Sequence, residues 1–422
     1  MSRYLAYVSP AVGHVLPLVP GLLELKARGH QVHVRTLPSL VDTLVETGLD
    51  ASPVADDVLA IPVTDYRATT DTDRLAAGQV DLVERGRYDG PDLADAIRAV
   101  RPDALLVDVN AYGARTVAEA SGLPFATLLP SVIPNLGRGI PPYGLGLKPM
   151  RGPLGAVRDR VLRSVVVRTF GKALLPGLNA LRAEAGLAPF DSPLQPFEPP
   201  YRIIALTSEP LEYPRTDLPA TVHLVGTQPW DTPAARPAYL DEPGDPWVLV
   251  ACSTDYQGDE LLARTVVEAL RDEPVRVLLT LADAYEEAGI RTGGNMYVER
   301  FVPHGHALSV ASAVVCHGGM GIVTKAATAG VPLVVVPFGR DQPEVARRVV
   351  ESGAGVLLRS KRLTADRLRS SVKAALTMRP HAEQVARRLD PTGAPTRFAD
   401  AAETLLAGEG MTNDSIAAII DL

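Results

Sequence analysis

Residues 313–342 read AVVCHGGMGIVTKAATAGVPLVVVPFGRDQ. An apolar run from Ala313 ends in His317, and Gly318, Gly319 and Gly321 make a turn. A helical segment follows, with Val323, Ala326, Ala327 and Ala329 as its apolar or small positions, and Gly330 stops it. A second apolar run, 331–336, leads into Pro337 and the polar pair Asp341-Gln342. The pattern predicts strand, glycine turn, helix, strand: parallel strands buried on both faces give continuous Val/Leu runs. A glycine turn at a helix start gathers free backbone N–H groups and the positive end of the helix dipole, which suits an anion such as a diphosphate.

The N-terminus repeats the pattern. Residues 3–8 predict a strand, 9–14 a small-residue turn, 16–28 a helix capped by Gly29, and 31–36 the next strand. At 422 residues the chain is too long for one ordinary core and predicts two α/β domains. The expected division is 1–226, a proline-rich linker over 227–246, 247–391, and a final segment, 392–422, whose helix near 397–406 precedes a short tail. A net charge of −7 gives no footprint for nucleic acid. No apolar run approaches the ~20 residues of a membrane span, and the first residues lack the plan of a signal peptide. Cys252 and Cys316 fall in expected buried strands and read as reduced thiols, so a cytoplasmic protein is expected.

The residues His317-Gly318-Gly319, Gly330-Val331-Pro332, Pro337 and Asp341-Gln342 resemble the donor-binding signature of nucleotide-sugar glycosyltransferases, both the bacterial macrolide and antibiotic group and its plant secondary-metabolism relatives. A lone HGG occurs in esterase oxyanion loops too, but the chain has no G-x-S-x-G elbow. The resemblance implies the GT-B fold, two Rossmann-like α/β domains facing across a cleft, with the last helix crossing back onto the first domain.

It also implies roles. Taken alone, His14 reads as a surface turn residue; in the family, the first strand ends in a Gly-His-x-x-Pro turn like Gly13-His14 and Pro17, and that His is the general base. Asp108, at the end of an expected strand over 104–107, would orient it, the alternative being a surface Asp capping the next helix. Asp103 lies at the far end of that strand. On the donor side, Ser253 and Thr254 stand where relatives have Gly-Thr or Gly-Ser, so Thr254 carries over and the glycine does not. Phe301 would stack on the base, with the Val302 backbone beside it, although a lone Phe at a strand end is usually core. His317 and the N–H groups of Gly319, Met320, Gly321 and Ile322 would hold the diphosphate, and Asp341 and Gln342 the sugar.

Residues 49–88 read as a polar, irregular region. Its Asp71-Thr72-Asp73 has the spelling of a metal-binding D-x-D but lacks a preceding apolar strand, so it reads as a solvated loop and no metal or other cofactor is expected. Residues 140–146 read as a flexible apolar loop. Residues 154–185 predict a basic amphipathic helix, which can lie on a membrane surface or cover an acceptor cleft; the resemblance favours the cleft. Tyr66, Tyr112 and Tyr143 are the expected acceptor contacts. Plant-type members that use uridine nucleotides have a Glu where this chain has Lys325, and an ammonium cannot accept from ribose hydroxyls, so a dTDP-sugar is expected over a UDP-sugar.

The expected function is therefore inverting, metal-independent transfer of a sugar to a lipophilic natural-product hydroxyl. A membrane-surface lipid glycosyltransferase and a catalytically silent auxiliary subunit are the alternatives. The expected partners are the nucleotide sugar and a lipophilic acceptor, without nucleic acid or stable membrane insertion; a homodimer is left open.

Overall fold

The computed structural model describes residues 1–68, 71–134, 137–254 and 260–407, with the backbone alone at 71, 72, 75 and 287. Its strands form two fully parallel sheets. The first comprises β1 (Arg3–Tyr7), β2 (Gln31–Thr36), β3 (Asp50–Pro53), β4 (Ala104–Asp108), β5 (Phe125–Leu129), β6 (Ile203–Ala205) and β7 (Val222–Leu224), in the order β3-β2-β1-β4-β5-β6-β7. The second comprises β8 (Trp247–Ala251), β9 (Arg276–Thr280), β10 (Met296–Glu299), β11 (Ala311–Cys316), β12 (Leu333–Val335) and β13 (Gly355–Leu357), in the order β10-β9-β8-β11-β12-β13. This is the GT-B architecture. In each sheet the order reverses beside its first strand, at β1/β4 and at β8/β11, and ligands of open parallel sheets bind at the carboxyl ends of such switch points.

The core explains the apolar runs. Leu5, Ala6, Leu105 and Leu106 in the first sheet, and Val248, Val250, Val314 and Val315 in the second, are fully buried, with helices on both faces. Cys252 and Cys316 are buried and are not joined in a disulfide, and burial pushes the Cys316 thiol up to about 12.

Several expected elements are corrected. The first helix begins earlier, as Val12–Val15, passes through a 3-10 turn over Leu16–Leu18, and resumes as Val19–Ala27; Pro17 and Pro20 lack the N–H groups a continuous helix needs. His14 is therefore on a helix and not in a turn. The region 49–88 is largely ordered into regular elements: it holds β3 and most of the helix Asp71–Val100, which places Asp71-Thr72-Asp73 at a helix start. Gly86 and Gly90 lie within this helix, and they serve close packing. A Cβ at Gly113, on the Tyr112–Ala120 helix, would meet the Gly86 carbonyl oxygen at 1.8 Å, and one at Gly90 would lie 3.3 Å from the Gly113 carbonyl.

The 140–146 loop is also fixed. Glu344 Oε1 accepts from the N–H groups of Gly144 (3.0 Å) and Gly146 (2.7 Å), and Gly146 at φ 56° packs on Pro343. The last described helix, Ala394–Ala407, lies on the first sheet's side. Its buried Phe398 fills the space over Gly21, where a Cβ would come within 2.4 Å of the ring. Arg28 bonds Asp400 (2.7 Å) and Glu403 (2.8 Å) at its rim. The expected tail over 412–422 lies outside the described residues. Among the described residues no helix is long and apolar enough to cross a membrane.

Candidate functional site

The carboxyl ends of both sheets open into one cavity of about 700 Å³. From the first sheet it is lined by His14, Asn110 and Ser131, which follow β1, β4 and β5; from the second by Ser253 and Thr254 after β8, Phe301 after β10, His317, Gly319, Met320, Gly321 and Ile322 after β11, and Asp341 and Gln342 after β12. The rings of His14 and His317 therefore share a crevice.

His14 Nδ1 lies 2.8 Å from Asp108 Oδ2. Asp108 is fully buried at the end of β4, and its Oδ1 accepts from the Asn110 N–H at 2.8 Å, so both carboxylate oxygens are engaged. The Asn110 side-chain amide lies 3.2 Å from His14 Nε2. These partners fit a neutral ring with its proton on Nδ1 and its lone pair on Nε2, facing the cavity. Asp103 instead accepts from the Arg3 N–H at 2.7 Å, away from the cavity.

Across the cavity, the helix Met320–Thr328 begins at Gly319 without a side-chain cap. The N–H groups of its first turn have no partner within the helix and, with the dipole, make an anion site. Three features force glycine here. Gly318 has φ 99°, a Cβ on it would meet Val335 at 2.8 Å, and a Cβ on Gly319 would lie 2.4 Å from His317 Nε2. His317 is mostly buried, and its Nδ1 approaches the Ala251 carbonyl at 3.4 Å. Phe301 is 53% exposed on the cavity wall and is not a core residue. Val302 is buried and does not line the cavity. Ser253 is buried and Thr254 exposed, and the turn beyond them, 255–259, lies outside the described residues.

At the junction of the lobes, Ser131 Oγ donates to Asp341 Oδ2. Gln342 is 2% exposed, and its Oε1 accepts from the N–H groups of Phe338 (2.7 Å) and Gly339 (3.2 Å), so this residue holds the loop that carries Asp341. Between them Arg340 adopts φ 55°, a costly conformation for a residue other than glycine. Its guanidinium is clamped on Asp65 of the other lobe at 2.7 and 2.9 Å. Tyr66, Tyr112 and Tyr143 line the first-sheet half with Val166, Val167, Phe170 and Leu174. Tyr112 is nearly buried, and its hydroxyl donates to Gln79. Among the described residues no group of three His, Cys, Asp or Glu could hold a metal ion.

Asn110, Ser131, Asp231 and His304 are among the lining residues that escaped the sequence reading. Asn110 stands two places after Asp108, and that spacing was its signal. Ser131 follows a strand end beside Pro130, as a ligand residue of this fold class would. Asp231 came from the linker, where nothing marks it: its Oδ1 takes Lys325 Nζ at 2.6 Å, and its Oδ2 takes the Gly305 N–H at 2.8 Å. His304, after Pro303, was assigned no role; burial, and then the nearby Lys325 ammonium, push it down to about 4.

Comparison with known proteins agrees with this geometry. The family described as "Erythromycin biosynthesis protein CIII-like, C-terminal domain" matches residues 264–405. The 4'-demethylrebeccamycin synthase of Lentzea aerocolonigenes is 32% identical over 421 residues, covering 96% of this chain and 99% of that protein. Among solved structures, the glycosyltransferase of kitacinnamycin superposes with a TM-score of 0.72 at 24% identity, covering 96% of this chain and 98% of that one. The glycosyltransferase VinC, solved in complex with dTDP, does so at 0.66 and 24%, covering 94% and 99%. With its two facing parallel sheets and the matched length of its relatives, the chain belongs to the nucleotide-sugar glycosyltransferases of bacterial antibiotic and natural-product biosynthesis.

Proposed function

We propose that this glycosyltransferase moves a sugar, with inversion and without a metal, from a dTDP-sugar to a hydroxyl of a lipophilic natural-product acceptor. The observation that carries the reading is the His14–Asp108 pair facing the capless helix at Gly319 across one cavity.

The acceptor hydroxyl displaces the Asn110 amide from His14 Nε2 and gives that nitrogen its proton. The new C–O bond forms on the face of the anomeric carbon opposite the nucleotide, while the bond to the diphosphate oxygen breaks and its electron pair leaves with the phosphate. Asp108 holds the ring by its Nδ1–H and balances the imidazolium that forms. His317, the first-turn N–H groups and Thr254 face the charge that gathers on the leaving diphosphate, and such preorganised donors often contribute most to the rate. Asp341 receives sugar hydroxyls, exchanging Ser131 for them.

The dTDP preference is supported by Lys325. Its ammonium is occupied by Asp231, and both carboxylate oxygens of Asp231 are engaged by Lys325 and the Gly305 N–H, so at this position the helix presents a paired cation and no carboxylate to a ribose 2′-hydroxyl. The likeness to a structure solved with dTDP points the same way. The lipophilic acceptor is supported by the apolar wall of Val166, Val167, Phe170 and Leu174.

The test is an acceptor panel of polycyclic and aromatic alcohols offered with dTDP-glucose or UDP-glucose, with and without chelator. Product mass and the anomeric coupling constant are read. Inverted product, favoured by dTDP and indifferent to chelator, is expected; retained configuration or chelator-abolished turnover would refute the scheme.

A further inference from the structure

The helix Pro153–Glu184 has two working faces. Arg163, Val166, Val167, Phe170 and Leu174 line the cavity. On the opposite side Leu154, Val157, Val161 and Val165 stand 78%, 62%, 58% and 57% exposed. At ~100° per residue these four fall within a stripe about 80° wide, some 16 Å long, and Met150, also exposed, precedes them. An aliphatic row so open to water is a marker of an interaction surface.

Its charge identifies the partner. The chain as a whole carries −7, yet the same line continues into exposed Arg168 and Lys172, with exposed Arg160 on its flank and exposed Arg151 before it. The one acid between Arg151 and Lys172 is Asp159, which is buried and paired with Arg158 at 2.7 Å. A second copy docking here by a two-fold axis would present the same patch, which carries no exposed acid to pair with these cations.

We propose that this outward face is a docking surface for an anionic lipid membrane. The helix lies in the headgroup plane, its valines and Leu154 among the upper acyl chains and its arginines and Lys172 on lipid phosphates. Attachment is reversible and involves no spanning segment. The docking itself does not rest on the transferase reading. If that reading holds, the cavity wall and the membrane contact are opposite sides of one helix, and a lipophilic acceptor has a short path between them.

The experiment is co-sedimentation of the full chain with vesicles of phosphatidylcholine and phosphatidylglycerol in equal parts, against vesicles of phosphatidylcholine alone, at low and raised salt. Binding at least about tenfold stronger to the anionic vesicles, and weakened by salt, is expected. V157D/V161D and R168E/K172E alter side chains outside the cavity; each should lower vesicle binding by about tenfold or more while melting temperature and turnover of a dissolved acceptor stay unchanged. Equal binding to both vesicle types, absence of binding, or binding unaffected by both variants overturns the proposal. A concentration-dependent dimer that V157D/V161D abolishes would assign the face to a second copy and overturn it as well.

Discussion

His14 and Asp108 are brought together by two adjacent parallel strands, β1 and β4, which set the Nδ1 to Oδ2 distance at 2.8 Å. The carboxylate is fully buried and has no solvent to share its charge with. Its preference for an N–H donor at Nδ1 therefore fixes the tautomer of the ring. In D108N the amide can turn its N–H toward the ring and favour the wrong tautomer. We expect kcat to fall on the order of 10²- to 10⁴-fold with little change in donor KM, measured by steady-state kinetics. Loss confined to KM would assign Asp108 to binding.

Nucleotide choice is expected to turn on the Lys325–Asp231 pair. K325E/D231N places a carboxylate where ribose hydroxyls can be met and avoids stranding two carboxylates side by side. The ratio of kcat/KM for UDP-glucose to that for dTDP-glucose should rise about tenfold, the worth of one hydrogen bond to a charged group. An unchanged ratio would remove Lys325 from donor selection.

The lobes are joined by a buried ionic cluster. Arg348 bonds Glu212 of the N-terminal lobe at 2.9 Å and Glu344 of its own helix at 3.0 Å, and all three side chains are almost wholly buried. R348M leaves two buried carboxylates without a counter-charge, at a cost of about 3–5 kcal/mol. Calorimetry should show a lower and broader transition. An unshifted melting temperature would mean that the carboxylates are solvated.

Burial and Lys325 hold His304 down to about 4, against its ordinary 6.5. The unfolded chain takes up this proton first, so stability is present above pH ~6.5 and is lost as pH falls toward ~4. H304N should flatten the stability curve across that window by about 3 kcal/mol, followed by chemical denaturation at a series of pH values. A wild-type curve already flat there would contradict the burial argument.

The parallel strands were legible because a strand buried on both faces must be apolar throughout; β8, β11 and β1 announce themselves. Gly318 and Gly319 were legible for a related reason: the first takes a positive φ, and a Cβ on the second would strike the His317 ring. The Asp71–Val100 helix was not, because Gly86 and Gly90 have two meanings and only the partner helix, with Gly113 pressed against them, selects close packing over breaking. The 140–146 loop looked flexible because Glu344, which ties it down, is some two hundred places away in sequence. Asp231 and Ser131 were invisible for that reason too: each is an ordinary polar residue until the other lobe arrives.

The most direct measurement is the turnover of H14A with saturating dTDP-sugar and acceptor, beside a thermal-shift titration with dTDP. Turnover reduced by at least about 10²-fold, with dTDP binding intact, is expected of a base that acts on the acceptor while the opposite lobe holds the nucleotide. Turnover equal to that of the unaltered enzyme would contradict it.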